Sequence, residues 1–269
     1  MLRLPVVAGR FYPSNPQELA DAVHRYTKAE PNETVVRARA CLVPHAGYMY
    51  SGHVAGAVFW RIHMPQRILL LGVRHFPRGA AAAILSQGAW RTPLGDVQVD
   101  EALAEKLRLA CPLLREDGVA HSGEHSLEVQ LPFLQILAPG FTFVPVALGM
   151  VRLEELLEVG TAVAGLLAES TEELLLLTTS DLNHYEDDAT TRRKDRKAIE
   201  RLLAVDADGL YRTCREEQIS MCGLGPAVAM LTALRRLDLL RAELVRYATS
   251  ADVSSDASTV VGYAGMIFS

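Results

Sequence analysis

The sequence predicts an α/β protein: one domain spanning residues 1–269, three-layered α/β/α, around a largely parallel or mixed central sheet. Two observations carry that expectation. Aliphatic runs alternate along the chain with amphipathic helical stretches, and such runs mark strands buried on both faces. Three of them also stop at a histidine in a short polar or glycine-bearing turn. These are Ala40-Cys41-Leu42-Val43 before Pro44-His45-Ala46-Gly47-Tyr48, Ile68-Leu69-Leu70-Leu71-Gly72-Val73 before Arg74-His75, and residues 174–177 before Thr178-Thr179-Ser180-Asp181-Leu182-Asn183-His184. Ligands in open α/β sheets bind beyond the carboxyl ends of the strands, so imidazoles far apart in sequence are set to converge there.

The elements follow in order. Asn15-Pro16-Gln17-Glu18 opens the first helix, with Asn15 as cap and Pro16 at the first helical position, and Leu19, Ala22, Val23 and Tyr26 form its apolar face. A strand ends at Val43, a small-residue helix covers 54–62 after Gly52, and a strand covers 67–73, which makes a β-α-β unit. Residues 80–85 and 95–99 read as short strands, with Thr92-Pro93-Leu94-Gly95 as the turn of a hairpin-like excursion. Helices are expected at 101–110 and from about Glu124 to Leu137, the latter shortened or kinked at Pro132. Strand 141–148, helix 153–167 and strand 174–178 repeat the alternation. The last third adds helices at 192–203, 207–215 and 227–237 and strands at 243–249 and 259–268.

Composition bounds the function. At 49% hydrophobic, 22% charged and 6% aromatic residues with a net charge of −5, the chain has an aliphatic core and no basic stripe for nucleic acid to follow. The run Arg192-Arg193-Lys194-Asp195-Arg196-Lys197 lies in a helical pattern and reads as a solvated face. Cys41, Cys111, Cys214 and Cys222 have no C-x-x-C spacing, so reduced thiols in the cytoplasm are expected, and no stretch reaches the length of a signal or membrane segment.

His45 and His75, each just past a strand end, are candidate metal ligands; the bland alternative is a histidine that only bonds its turn for His45 and a surface-loop histidine for His75. Cys222, in Met221-Cys222-Gly223-Leu224-Gly225-Pro226 ahead of a helix, is the favoured third ligand. Helix amides and dipole there are expected to lower its thiol pKa, against the alternative of a small buried hydrophobe. In His121-Ser122-Gly123-Glu124-His125-Ser126-Leu127-Glu128 the two histidines lack the H-E-x-x-H order. His121 is expected in a loop, with Glu124, His125 and Glu128 opening the next helix or supporting the site. Asp181 beside His184 can orient its ring and help it move protons, unless Asp181 only caps an Asx-turn. No G-x-S-x-G elbow, P-loop or dinucleotide fingerprint is present.

Together Pro44-His45-Ala46-Gly47-Tyr48, Trp90-Arg91-Thr92-Pro93-Leu94-Gly95, Glu124-His125-Ser126-Leu127-Glu128 with Leu131-Pro132, Ser180-Asp181-Leu182-Asn183-His184 and Cys222-Gly223 with Pro226 resemble the Memo family, from about Val7 to Phe268. The resemblance implies a fold related to class III extradiol dioxygenases, whose iron is held by two histidines and a carboxylate. It implies His45, His75 and Cys222 as metal ligands and His184 as catalytic base, with Asp181 and His125 beside it. A thiolate in place of the carboxylate softens the site and suits iron, copper or zinc. The resemblance further implies AMMECR1-type and radical S-adenosylmethionine partner proteins. Three functions compete: an iron-dependent redox enzyme acting on a small molecule or peptide, a peptide- or protein-binding adaptor on the same scaffold, and a zinc hydrolase using Glu124 or Asp181 as base.

Overall fold

A computed structural model describes residues 1–29, 34–149, 152–170 and 173–269. In chain order the elements are β1 (Leu2–Arg3), α1 (Pro16–Tyr26), β2 (Ala40–Val43), α2 (Tyr48–Arg61), β3 (Arg67–Val73), β4 (Ala82–Ile84), β5 (Ala89–Thr92), β6 (Gly95–Val99), α3 (Glu101–Ala110), β7 (Arg115–Glu116) and α4 (Gly118–Ser122). A 3₁₀ turn (Glu128–Gln130) leads into α5 (Leu131–Leu137), β8 (Thr142–Leu148), α6 (Leu153–Glu169), β9 (Leu174–Thr179), β10 (His184–Glu186), α7 (Asp188–Leu203), α8 (Ala207–Glu216), α9 (Leu224–Arg236), β11 (Ala242–Thr249), α10 (Ala251–Ser254) and β12 (Val260–Phe268).

The strands join one mixed sheet in the order β1-β5-β6-β8-β3-β9-β2-β12-β10, with β11 on β12 and β4 on β8. Its centre is parallel. β9 lies between β3 and β2, pairing Leu70 with Leu177 on one side and Val43 with Thr179 on the other. These strands are buried along almost their whole length and mostly aliphatic, with Thr178 and Thr179 closing β9, because both faces are covered. Helix α9 packs over β2, β3, β8 and β9 and is backed by α6 and α8, while α2 packs over β2, β11 and β12 and is backed by α1 and α5. The α/β class and the mixed, mostly parallel sheet agree with the pattern of the sequence.

Local differences have physical causes. Helix α2 begins at Tyr48 rather than after Gly52, since Gly47 caps it and the Tyr48 amide donates to the Phe11 carbonyl. The hairpin is β5 with β6, whereas β4 pairs with β8. The helix expected from Glu124 is only the 3₁₀ turn and α5, because the Glu124 carboxylate takes the His125 and Ser126 amides and holds that stretch as a turn. His121 sits buried in α4 against Trp90 instead of in a loop. The basic run of α7 is solvated and ion-paired through Arg192, Lys194 and Lys197, but its Asp195 is buried. No helix among the described residues is long and apolar enough to cross a membrane.

Candidate metal centre

Because β3, β9 and β2 are adjacent and parallel, the residues just past their carboxyl ends share one edge of the sheet. That edge receives His75 from β3, Asp181 from β9 and His45 from β2. Cys222 reaches it from the turn before α9. One ligand atom each from His45, His75 and Cys222 lie within 4.8 Å of one another.

Each imidazole has one nitrogen already engaged. His45 Nδ1 lies 2.8 Å from Thr179 Oγ1, and the same oxygen accepts the Gln130 side-chain amide at 3.0 Å. A hydroxyl oxygen has two acceptor positions, so it can take the His45 Nδ1 proton as well and leave Nε2 with a lone pair. That Nε2 is 3.3 Å from the Cys222 sulfur. On His75, Nδ1 is 2.9 Å from the Glu124 carboxylate, which also accepts the His75 amide at 2.7 Å. A carboxylate cannot donate, so His75 Nδ1 carries the proton and its other nitrogen is free to ligate. Two imidazoles so oriented with a thiol sulfur form a donor set that fits a transition-metal ion.

The charge states are set by burial and neighbours. Burial, reinforced by His75, holds His45 down at about 3, and burial with the nearby His45 holds His125 down at about 4. Both are neutral imidazoles, the form that offers a lone pair. Burial opposes ionisation of Glu124, yet the His75 side-chain hydrogen bond and the Ser126 and His75 amides outweigh it and keep the carboxyl at about 2. Cys222 departs from expectation. Burial first, then the Asp181 charge, pushes its thiol well above the usual range, and the Asp181 amide and Ser180 hydroxyl do not compensate. The cap amide of α9, Gly223 N, donates to Ser180 Oγ at 2.9 Å and not to sulfur. Thiolate at this position therefore depends on a cation beside it.

Asp181 and His184 are also brought to the site: a carboxylate oxygen of Asp181, a ring nitrogen of His184 and the Cys222 sulfur lie within 4.8 Å of one another. The expected orienting bond differs. Asp181 Oδ1 accepts the His45 amide at 2.8 Å, while His184 Nδ1 is 3.0 Å from the Ser220 carbonyl. A carbonyl only accepts, so Ser220 fixes Nδ1 as the protonated nitrogen and leaves Nε2 as the basic one. Burial raises Asp181 above the ordinary carboxylate range despite that amide. His125 stacks on His75 at 4.6 Å between centroids and meets the edge of Phe11 at 4.9 Å. These side chains line a cavity of about 1050 Å³. Five of the chain's eight tyrosines line it too, with Arg10 and Arg25 towards the N-terminal side, so its walls are aromatic and its added charge is positive.

Sequence reasoning passed over Thr179, Gln130 and Ser220, the groups that orient His45 and His184. Gln130 and Glu128 did leave a signal: both are polar residues set among Leu127, Val129 and Leu131 in a stretch otherwise fit only for a core.

A family profile described as Memo-like protein matches residues 3–267. A MEMO1 family protein of Methanopyrus kandleri is 39% identical over all of this chain and 99% of its own. A MEMO1 family protein of Methanocaldococcus jannaschii is 38% identical, covering 99% of this chain and 98% of its own. An uncharacterized protein from Escherichia coli K12, known from a crystal structure, superposes with a TM-score of 0.55 at 13% identity, covering 86% of this chain and all of that one. At that identity the likeness concerns the fold.

Proposed function

The chain belongs to the Memo-like family, and on that footing we propose that it is a non-haem iron-dependent redox enzyme with His45, His75 and Cys222 as ligands. The observation that supports this most is the meeting of two oriented imidazoles and a thiol within 4.8 Å at one wall of a large cavity. When bound, the ion supplies Lewis acidity and electron transfer at positions left open by three protein ligands.

The chain's own residues account for the rest. Thr179 and Glu124 hold Nδ1 of His45 and of His75 and so fix both rings, with the free nitrogen of His45 3.3 Å from the sulfur. His184, with Nδ1 held by the Ser220 carbonyl, presents Nε2 as the proton acceptor for a substrate in the cavity. Asp181, whose carboxylate lies beside Cys222 and His184, returns or holds that proton. His125 and Phe11 wall the site against bulk water.

Anaerobic purification followed by elemental analysis tests the proposal. One iron per wild-type chain, lost in His45→Ala and accompanied by oxygen uptake in the wild type, is the expected result. Stoichiometric iron retained by His45→Ala overturns the ligand assignment, and stoichiometric zinc in place of iron overturns the redox reading in favour of hydrolysis.

A further inference from the structure

A second group of buried charges lies behind the ligands and touches none of them. Arg3, 7% exposed, stacks its guanidinium 4.1 Å above the Trp90 ring. It donates to the His121 carbonyl at 3.0 Å, to the Glu124 carbonyl and to the Glu128 carboxylate at 2.5 Å. Glu128 is fully buried, and besides Arg3 its oxygens accept the Val6 amide at 2.9 Å, the Val7 amide at 3.1 Å and the Tyr12 hydroxyl at 2.6 Å.

We propose that Arg3 and Glu128 are positioning residues for the metal centre: together they hold the 121–128 segment, which aims Glu124 at His75, against the N-terminal segment that walls the cavity beside His125. The inference rests on the reading of His45, His75 and Cys222 as a metal site.

Two arms lead from the pair to the ligands. In the first, Glu124 is constrained at both ends. Its carboxylate serves His75, His125 and Ser126, and its carbonyl is taken by Arg3. A carboxylate whose backbone drifts by about an ångström loses the 2.9 Å bond that sets the His75 ring, since such bonds fail beyond roughly 3.5 Å. In the second, Glu128 gathers Val6, Val7 and Tyr12 and so fixes the turn between them, where Gly9 N donates to Tyr12 O at 2.7 Å with Gly9 at φ 77°. That turn delivers Phe11 to the edge of His125, and the Phe11 carbonyl takes the Tyr48 amide at 2.7 Å, tying the wall to the loop of His45. A buried ion pair adds little net stability compared with apolar residues of the same size. Its geometric result here is to fix the His75 and His125 half of the site from outside.

The test uses the full chain, with Zn(II) affinity measured by chelator competition and Co(II) loading followed by its d–d bands, each variant shown folded by near-ultraviolet circular dichroism. Arg3→Met and Glu128→Gln are expected to raise the Zn(II) dissociation constant about tenfold, the lower end of the effect of groups that orient ligands, and to shift the Co(II) bands. Leu210→Ala, a buried change in α8, none of whose residues lines the cavity, should lower Tm while leaving both readouts as in the wild type. If Arg3→Met does not fold, Arg3→Lys carries the test, because it keeps the charge but not the fork that reaches three acceptors, and a smaller loss of affinity is then expected. Folded variants with wild-type affinity and unshifted bands overturn the inference alone. A wild type that binds neither ion overturns the metal reading and this inference with it.

Discussion

Asp195→Asn offers the clearest quantitative prediction. Asp195 is fully buried in α7, accepting the Asn183 amide at 2.9 Å and the Tyr247 hydroxyl at 2.7 Å, with Gly262 packed so closely that a Cβ there would fall 1.8 Å from its carboxylate. Burial pushes this carboxyl from 3.8 up to about 6, and its two hydrogen bonds only moderate the rise. Between these values the folded chain keeps a proton that the unfolded chain has released. The group's stabilising contribution is therefore complete below about pH 4 and is lost as pH rises through 6. A gap of about two pH units at about 1.4 kcal/mol each amounts to roughly 3 kcal/mol. Asparagine imitates the protonated carboxyl at every pH. Urea unfolding of both proteins at intervals from pH 4 to 7.5 should therefore show the wild type losing about 3 kcal/mol relative to the variant across that range, with other carboxylates cancelling in the difference. A difference independent of pH would refute the reasoning.

Other perturbations act on the site itself. Thr179→Val removes the oxygen shared by His45 Nδ1 and Gln130 and strands buried donors; a loss of about 1–3 kcal/mol in chemical denaturation and a 10- to 100-fold weaker metal affinity are expected. Gly223→Ala would set a Cβ 2.4 Å from Ser180 Cβ and 2.5 Å from the Thr179 carbonyl, so the Cys222 turn must move, and thiol titration should find Cys222 more reactive in the metal-free variant than in the wild type. Cys222→Asp replaces a soft donor with a hard one, and competition experiments should show preference moving from Zn(II) and Cu(I) towards Fe(II) and Mn(II).

The parts of the site legible in the sequence are those that follow directly from strand ends. His45 and His75 each come immediately after an apolar run that only a strand buried on both faces explains, and Cys222 precedes a proline suited to open a helix. What stayed hidden depends on tertiary contact. Thr179 reads as part of the polar turn after strand 174–178, and only the sheet places its hydroxyl at His45 Nδ1. Ser220, which fixes the ring of His184, lies in another loop, and the strand that carries His184 is three residues long with Tyr185 in it at φ 63°, too short for a periodicity to register. Arg3 and Glu128 meet across most of the first half of the chain, a pairing that helix or strand patterns do not encode. The helix that the sequence predicts from Glu124 is a turn for a related reason: its neighbours have helical spacing, but its own carboxylate competes for the amides a helix would use.

The position of β12 shapes how the molecule is made. Met266, Ile267 and Phe268 pair with Leu42, Cys41 and Ala40 on one side, β11 pairs along the other side from Gly262 to Phe268, and β10 pairs at Val260 and Val261. During synthesis, β2 emerges early and waits with an open edge until this late strand arrives, so the histidine at its end cannot be locked in place by local structure alone. Pairings this distant close slowly. The β2 end of the site is therefore expected to be completed only once this long-range pairing with β12 has closed.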